Sequence, residues 1–431
     1  MLKLAVIADD LTGANDAGVQ FAKEGLKVQV LLGESAEEQE KELPDVIVLD
    51  TDSRAAIPDQ AYERVRKAGG LIKRLTSSRP AVFKKIDSTL RGNLGAEIGA
   101  VMDELGFEWA AVAPAFPVNG RITVGGWHLL HQVPIAESEI ARDPKTPVVE
   151  SVLPKLLASQ SSQSVGHVYL TDVSLGADAI LQRITELRKQ GARIISFDAS
   201  TQTHLRAIAT AVAAEGEGLW VGCAGLAEMI PSTMHWSGAK NTVESSGRGP
   251  VLVVAGSVSP VTARQMNRFL SQESVRLVSL QAGALVHDEA AEVRRCAQEA
   301  SGWLQSGHDV LLASAVDMDA VANARSVGAE QGIDSRRVSE IVAAAMGQVV
   351  THLISLQLAG LFLTGGDTAV SVCRALGVNA IDILAEVLPG IPLGRLVGGR
   401  CPGLRVVTKA GAFGDETAIV EAVKVLKRRG E

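Results

Sequence analysis

Short apolar runs alternate with amphipathic stretches along this chain of 431 residues. Leu4 to Ala8 is an apolar run too short for a helix, so it reads as a buried strand. Ala14 to Lys23 is helix-like, with Gly25 as a C-terminal stop. Strands are predicted over Val28 to Leu32, Val46 to Leu49, Ala81 to Lys84 and Trp109 to Ala113. Between them lie a helix over Gln60 to Leu75 and a helix-like segment from Leu94, periodic over Glu97 to Leu105 and ending near Gly106. Arg121 to Pro134 breaks the rhythm and reads as a hairpin or excursion. Alternation resumes with strands over Val168 to Thr171, Arg193 to Phe197 and Leu219 to Gly222, separated by helices near Ala177 to Lys189 and His204 to Ala214. A βαβα rhythm of this kind implies a mostly parallel sheet with helices on both faces.

The residues from 236 to 250 are small, polar and turn-rich, as linkers are. A second α/β unit starts with the strand Val251 to Ala255. Its further strands are predicted at Val275 to Leu280, Asp309 to Ser314, Gly360 to Thr364 and Arg405 to Thr408, with helices near Glu289 to Trp303 and Arg337 to Leu356. The expected organisation is α/β in two domains, residues 1–240 and 241–431, each a mostly parallel sheet flanked by helices.

Composition narrows the classes. Hydrophobic residues make up 46% and charged residues 21%, which suits a well-buried globule rather than a disordered chain. The net charge of −7, with no basic block against it, argues against a nucleic-acid partner. Aromatic residues are only 3%, so base stacking cannot dominate recognition. Cys223, Cys296, Cys373 and Cys401 are far apart and form no Cys-x-x-Cys pair, so no metal site and no disulfide framework is expected. No apolar run spans a membrane and no signal-peptide layout opens the chain, making the cytoplasm the expected compartment.

Three strand-to-helix junctions in the first half concentrate chemistry. Lys84-Lys85-Ile86-Asp87-Ser88-Thr89-Leu90-Arg91-Gly92-Asn93 packs two ammoniums, a carboxylate, two hydroxyls and a guanidinium into ten residues. Ala8-Asp9-Asp10-Leu11-Thr12-Gly13-Ala14-Asn15-Asp16 and Asp50-Thr51-Asp52-Ser53-Arg54 are the other two. In open α/β sheets such junctions, at the carboxyl ends of strands, are where ligands bind. Cations there suit an anionic ligand, and a carboxylate among them is a candidate general base. Blander roles compete: Asp9 or Asp10 capping a helix, Arg54 as a surface cation, and Asp87 with Arg91 as a local ion pair. Lys84 and Lys85 point to opposite faces if both lie in a strand, so one of them is not a ligand. Arg121, Trp127 and His128 either cover a cleft or support an interface. His128 and His131 lack further metal ligands.

The second half carries three glycine turns at strand ends: Gly256-Ser257-Val258-Ser259-Pro260, Thr364-Gly365-Gly366-Asp367-Thr368 and Lys409-Ala410-Gly411-Ala412-Phe413-Gly414. Asp367 or Thr368 is placed to cap the helix after Gly366. Glycines admit a phosphate to the backbone, and helix N-termini supply free N–H groups. Three such turns in one domain favour a phosphate cradle. The Walker and Rossmann glycine patterns are both absent.

Together the Asp9–Asp16 and Lys84–Gly92 segments, Asp143-Pro144-Lys145-Thr146-Pro147, Thr364-Gly365-Gly366-Asp367 and Lys409–Gly414 resemble the four-carbon acid sugar kinase family, in order and across essentially the whole chain. The resemblance implies an N-terminal acid-sugar-binding domain and a C-terminal nucleotide-binding domain. It also implies ATP- and Mg²⁺-dependent phosphorylation of a hydroxyl, typically the terminal one, on a four-carbon sugar acid. It places Asp10, Arg54, Lys84, Lys85, Ile86 and Asp87 at the sugar acid, and Ser257, Thr364, Gly365, Gly366, Asp367 and Gly411 around ATP. The Asn15 to Lys23 segment is most similar to members acting on D-threonate, less to those acting on D-erythronate or 3-oxo-tetronate. Cys223 departs from the more usual serine or alanine. A homodimer is among the assemblies the resemblance allows.

The expected mechanism gives Arg54 and the Lys84/Lys85 pair the carboxylate and hydroxyl groups of the substrate, Arg91 the transferring phosphoryl group, and either Asp87 or Asp10 the role of base. The alternative from a different class is a non-catalytic sensor of acidic metabolites. A second phosphate cradle favours the enzyme.

Overall fold

The computed structural model describes residues 1–32, 43–143, 145–239, 247–256, 259–314, 326, 328–330, 332–411 and 413–428. They fall into two compact units, Met1–Lys240 and Asn241–Glu431.

In the first unit the strands are β1 (Leu4–Ala8), β2 (Val28–Leu32), β3 (Val46–Asp50), β4 (Ala81–Lys85), β5 (Ala110–Ala113), β6 (Arg121–Val124), β7 (Trp127–Leu130), β8 (Val133–Pro134), β9 (Val165–Val168), β10 (Ile194–Phe197) and β11 (Leu219–Gly222). Eight of them form one sheet in the order β2-β3-β1-β4-β11-β5-β10-β9, every pair parallel. The five residues of β1 are all buried, which is why this strand reads as a continuous apolar run. Register sets the site. Ala8 pairs with Asp50 on one side and with Lys85 on the other, and Lys85 pairs with Gly222. The carboxyl ends of β3, β1, β4 and β11 are therefore level. The chain leaves β1 toward β2 and leaves β4 toward the opposite side of the sheet. A crevice opens at such a switch point.

The excursion is a small antiparallel sheet, β6-β7-β8. One expectation fails here. The strand predicted over Val168 to Thr171 lies at β9 instead, and Leu170–Val173 is a short helix. Asp198 Oδ2 accepts from Leu170 N at 2.9 Å. That distant carboxylate starts a helix where the local apolar pattern favours a strand.

The second unit contains β12 (Val251–Ala255), β13 (Val275–Ser279), β14 (Asp309–Ala313), β15 (Gly360–Thr364), β16 (Ala380–Leu388), β17 (Ile391–Val397) and β18 (Arg405–Lys409). Their order is β13-β14-β12-β15-β18-β17-β16. The first five are mutually parallel, while β17 runs antiparallel to both β18 and β16. The β16–β17 hairpin, turning at Pro389-Gly390, is an element the sequence reading passed over. Most of β16 is half-buried while most of β17 is buried, and neither strand alternates cleanly, so no periodicity marks the pair. Val251 and Val253 of β12, Leu311 of β14, Phe362 of β15 and Val407 of β18 pack with the Ala418–Lys427 helix to make the core of this unit. Among the described residues no helix is long and apolar enough to cross a membrane. The four cysteines are free thiols.

Candidate active site

At the end of β1 the chain turns through Asp9 and Asp10 into the Leu11–Ala22 helix. Asp10 is its N-cap, accepting from Gly13 N at 2.8 Å. A Cβ on Gly13 would lie 2.6 Å from Lys85 Nζ and 2.7 Å from Asp10 Oδ1, so a larger residue here would push those two side chains from their places. Arg54 reaches in from the loop after β3. Its Nε and Nη2 donate to Asp9 at 2.7 and 3.0 Å, and its Nη1 and Nη2 to Asp10 at 2.8 and 2.6 Å. Four of its five donors are thus spent on two carboxylates. Burial by itself raises the pKa of Asp9, but Arg54 and the two lysine ammoniums more than offset this and hold it below the usual range.

The two lysines divide as the strand geometry requires. Lys84 is fully buried and ion-paired to Glu97 Oε2 at 2.7 Å, with further bonds to the carbonyls of Ile7 and Lys85. Glu97 also accepts from Ser53 Oγ at 2.9 Å. Lys85 Nζ donates to Ile86 O at 2.9 Å and lies against Gly13. Ile86 is buried and donates its N–H to Gly222 O. Glu97 was missed by the sequence reading: it sits inside a helix, and only its full burial singles it out.

Asp87 follows β4 and gathers donors. Its Oδ2 accepts from Arg91 Nε at 2.8 Å and from the Thr89 hydroxyl, and its Oδ1 from Arg91 Nη2 at 3.2 Å. Arg54 stands 3.8 Å from Oδ1. Burial pushes this carboxyl up, yet Arg91 and Arg54 together hold it well below the usual carboxylate range. Arg91 is braced on its other side by Asp143 at 3.0 Å. Asp143 is itself ordered by the N–H groups of Lys145 and Thr146. The Asp87–Arg91 pair therefore exists, but in a loop rather than a helix, and Arg91 keeps two donors uncommitted to acids. Asp10 is the most open of the three acids, its side chain 22% exposed against 3% for Asp9 and 11% for Asp87.

Two further groups, Asp50 of the second junction and His128 of the excursion, stand beside these residues. Asp50 ends β3, where burial and the carboxylates of Asp10, Asp52 and Asp9 push its pKa up to about 8. His128 on β7 is buried. Its Nε2 donates to Ser88 O at 2.9 Å and its Nδ1 faces the Thr123 hydroxyl at 3.0 Å, with burial pulling its pKa down to about 4. A neutral His128 thereby ties the excursion to the Asp87 loop. A row of Ser196, His167 and Asp198 resembles a hydrolase triad, but Ser196 is wholly buried and Asp198 is consumed by backbone N–H groups.

In the second unit β15 runs through Thr364 into the Gly366–Ala375 helix. The N-cap is Gly365, with φ +100°, and no side chain caps the helix. The expected cap by Asp367 or Thr368 is not formed: Asp367 lies exposed in the first turn and Thr368 is buried. Gly256, after β12, abuts the Thr368 hydroxyl so closely that no Cβ fits. The Thr364 hydroxyl is buried and has no hydrogen-bond partner among the described residues. An uncapped helix N-terminus beside an orphaned hydroxyl fits a phosphate group. Gly411 turns its carbonyl inward, accepting from Ser259 at 2.7 Å, Thr262 at 2.9 Å and Lys409 at 3.1 Å. Lys409 is buried and has no carboxylate partner among the described residues, and burial lowers its pKa to about 7. Ser257 lies outside the described residues. Among the described residues no cluster of three or more His, Cys, Asp or Glu is placed to hold a metal ion.

Comparison with known proteins matches the same two halves. Residues 4–230 fit the model of a sugar-binding N-terminal domain, and residues 252–419 that of a nucleotide-binding C-terminal domain. The chain is 37% identical to D-threonate kinase of Salmonella typhimurium, with 98% of each chain covered. It is 34% identical to D-erythronate kinase of Heliobacterium modesticaldum, covering 99% of this chain and 97% of that one. It is 30% identical to 3-oxo-tetronate kinase of Pectobacterium atrosepticum, covering 98% and 99%.

Proposed function

The chain belongs to the four-carbon acid sugar kinase family, and from that premise we propose that it phosphorylates the terminal hydroxyl of D-threonate with ATP. The observation that carries the chemistry is the double carboxylate–guanidinium network at the level ends of β1 and β4. Phosphoryl transfer needs positioning and charge neutralisation more than covalent help. ATP is the phosphoryl donor, and Mg²⁺ accompanying it would supply charge neutralisation. Thr364, Gly365, Gly366, Asp367 and Gly411 hold the nucleotide, with Ser257 as the expected further contact.

The residues of the first unit then divide the work. Asp10 accepts the hydrogen bond of the attacking hydroxyl, since it is the acid with most open surface. Asp87, locked by Arg91 and Arg54, is a weak base, and its role is to aim Arg91 at the phosphoryl group. Lys85 serves the substrate hydroxyls, while Lys84, Glu97 and Ile86 form the floor beneath them. The preference for D-threonate rests on the 37% relative, with D-erythronate and 3-oxo-tetronate as competing substrates. The reaction belongs in the cytoplasm, where ATP is available.

The test is ADP release with Mg²⁺ across D-threonate, L-threonate, D-erythronate, L-erythronate and 3-oxo-tetronate. Turnover highest on D-threonate supports the reading. Turnover on another of the acids replaces the substrate. ATP binding without turnover on any of them supports a sensor of acidic metabolites instead.

A further inference from the structure

A sugar acid brings a carboxylate, and the cations expected to receive it are largely committed. Arg54 is held by Asp9 and Asp10, Arg91 by Asp87 and Asp143, and Lys84 by Glu97. At Arg54 and Lys84 a ligand carboxylate would have to displace acids that the fold holds in place, and the two donors that Arg91 keeps from acids are assigned to the phosphoryl group. Lys85 carries a compact ammonium, which cannot form a two-pronged bond.

Arg121, at the start of β6, differs from all of these. The one hydrogen-bond partner of its side chain among the described residues is the carbonyl of Asn119, reached by Nη1. Its Nε is buried and, among the described residues, has no hydrogen-bond partner and no carboxylate in ion-pair reach. Burial pulls its pKa down, and the nearby Asp87 carboxylate works against that.

The backbone that carries it is fixed from three sides. Arg121 exchanges both backbone bonds with Phe116, at 2.8 and 3.1 Å. The Phe116 ring packs on Cys223 and Ala224, which follow β11. Through His128 the same hairpin is bonded to Ser88, one residue after Asp87. Arg121 is thus held near the carboxyl ends of β4 and β11 with its Nε–Nη2 edge unpaired. A half-buried guanidinium whose buried Nε finds no partner among the described residues is costly to keep, and a planar carboxylate is the ligand that completes it bidentately.

We propose that Arg121 binds the carboxylate of the substrate, a role that rests on the sugar-acid reading of this site. Arg54 then acts on the substrate only through Asp9 and Asp10. The test compares wild type with Arg121→Gln and Arg121→Lys by calorimetry of the preferred acid without ATP, and by steady-state kinetics. Arg121→Gln is expected to weaken acid binding and raise its KM about ten- to a hundredfold, as loss of a charge-assisted pair does. The KM for ATP stays within about twofold, and Arg121→Lys, keeping the charge but not the fork, falls between. Inhibition by the neutral four-carbon polyol, which has no carboxylate, should be equal in wild type and variants. Should Arg121→Gln not fold, Arg121→Lys carries the same comparison. Unchanged acid affinity in the variants overturns the proposal alone, as does an equal loss for acid and polyol. A wild-type protein that binds none of the acids overturns the proposal and the sugar-acid reading together.

Discussion

Arg54 shows how far a residue's surroundings decide its role. Between two carboxylates it neutralises a pair that would otherwise repel at the mouth of the site. Removing one partner of a buried ion pair leaves uncompensated charge and costs about 3–5 kcal/mol. Arg54→Ala is therefore expected to lower the free energy of urea unfolding by about 3 kcal/mol. A raised KM for the acid with stability intact would return the carboxylate to Arg54. Asp10 and Asp87 separate by kinetics. Asp10→Asn is expected to lower kcat about a hundredfold while leaving ATP affinity within about twofold. A kcat within twofold of wild type would remove Asp10 from the chemistry. Leu90 adds a backbone signature to the same loop: it is buried and adopts φ +60°, a conformation that costs about 1–2 kcal/mol for a residue with a side chain. Its burial holds the turn that brings Arg91 back onto Asp87.

Among the elements, two helices begin at strand ends in opposite ways. The Leu11–Ala22 helix is capped by Asp10, so its first N–H groups are satisfied internally. The Gly366–Ala375 helix has only Gly365 before it and offers its N–H groups outward. An anion gains from that end through both the free donors and the helix dipole. Gly366→Val crowds this turn, and ATP affinity is expected to fall at least about tenfold by calorimetry while sugar-acid binding in the other unit is kept. ATP affinity equal to wild type would take the Thr364–Asp367 turn out of the nucleotide site. The Lys409–Phe413 loop works by a different device. Lys409, Ser259 and Thr262 draw the Gly411 carbonyl inward, and Gln265 does the same for Phe413, Gly414 and Asp415.

For the whole molecule, three buried groups set how stability responds to pH. Lys409 has a folded pKa near 7 against the usual 10.5, so the unfolded chain binds more protons between those values. Stability from this group therefore rises with pH from about 7 to 10.5. His128, near 4 against the usual 6.5, makes stability fall as pH drops through that interval. Asp50 has the opposite sign: raised from 3.8 to about 8, it favours the folded form at low pH and weakens it as pH rises through that range. His128 and Asp50 thus oppose each other on the acid side, leaving Lys409 to dominate above neutrality. Urea titrations of Lys409→Met at pH about 7 and about 9.5 should show the alkaline gain flattened. A gain equal to wild type would mean that Lys409 stays charged in the folded protein.

Most strands and helices were legible because buried parallel strands are continuous apolar runs and their helices repeat every turn, both local properties. The clustering of acids and cations at three junctions was equally visible, since all three follow strands whose ends the sheet brings level. The partnerships were not. Arg54 meets acids 44 and 45 residues away, Arg91 meets Asp143 across 52, and Lys84 finds Glu97 inside a helix. The β16–β17 hairpin and the helix at Leu170 escaped for a related reason: partial burial blurs a pattern, and a distant carboxylate can override one. Local order follows from side-chain periodicity along the chain. Which cation is neutralised and which is left open, as Arg121 is, depends on strand register and on charges brought together only by folding.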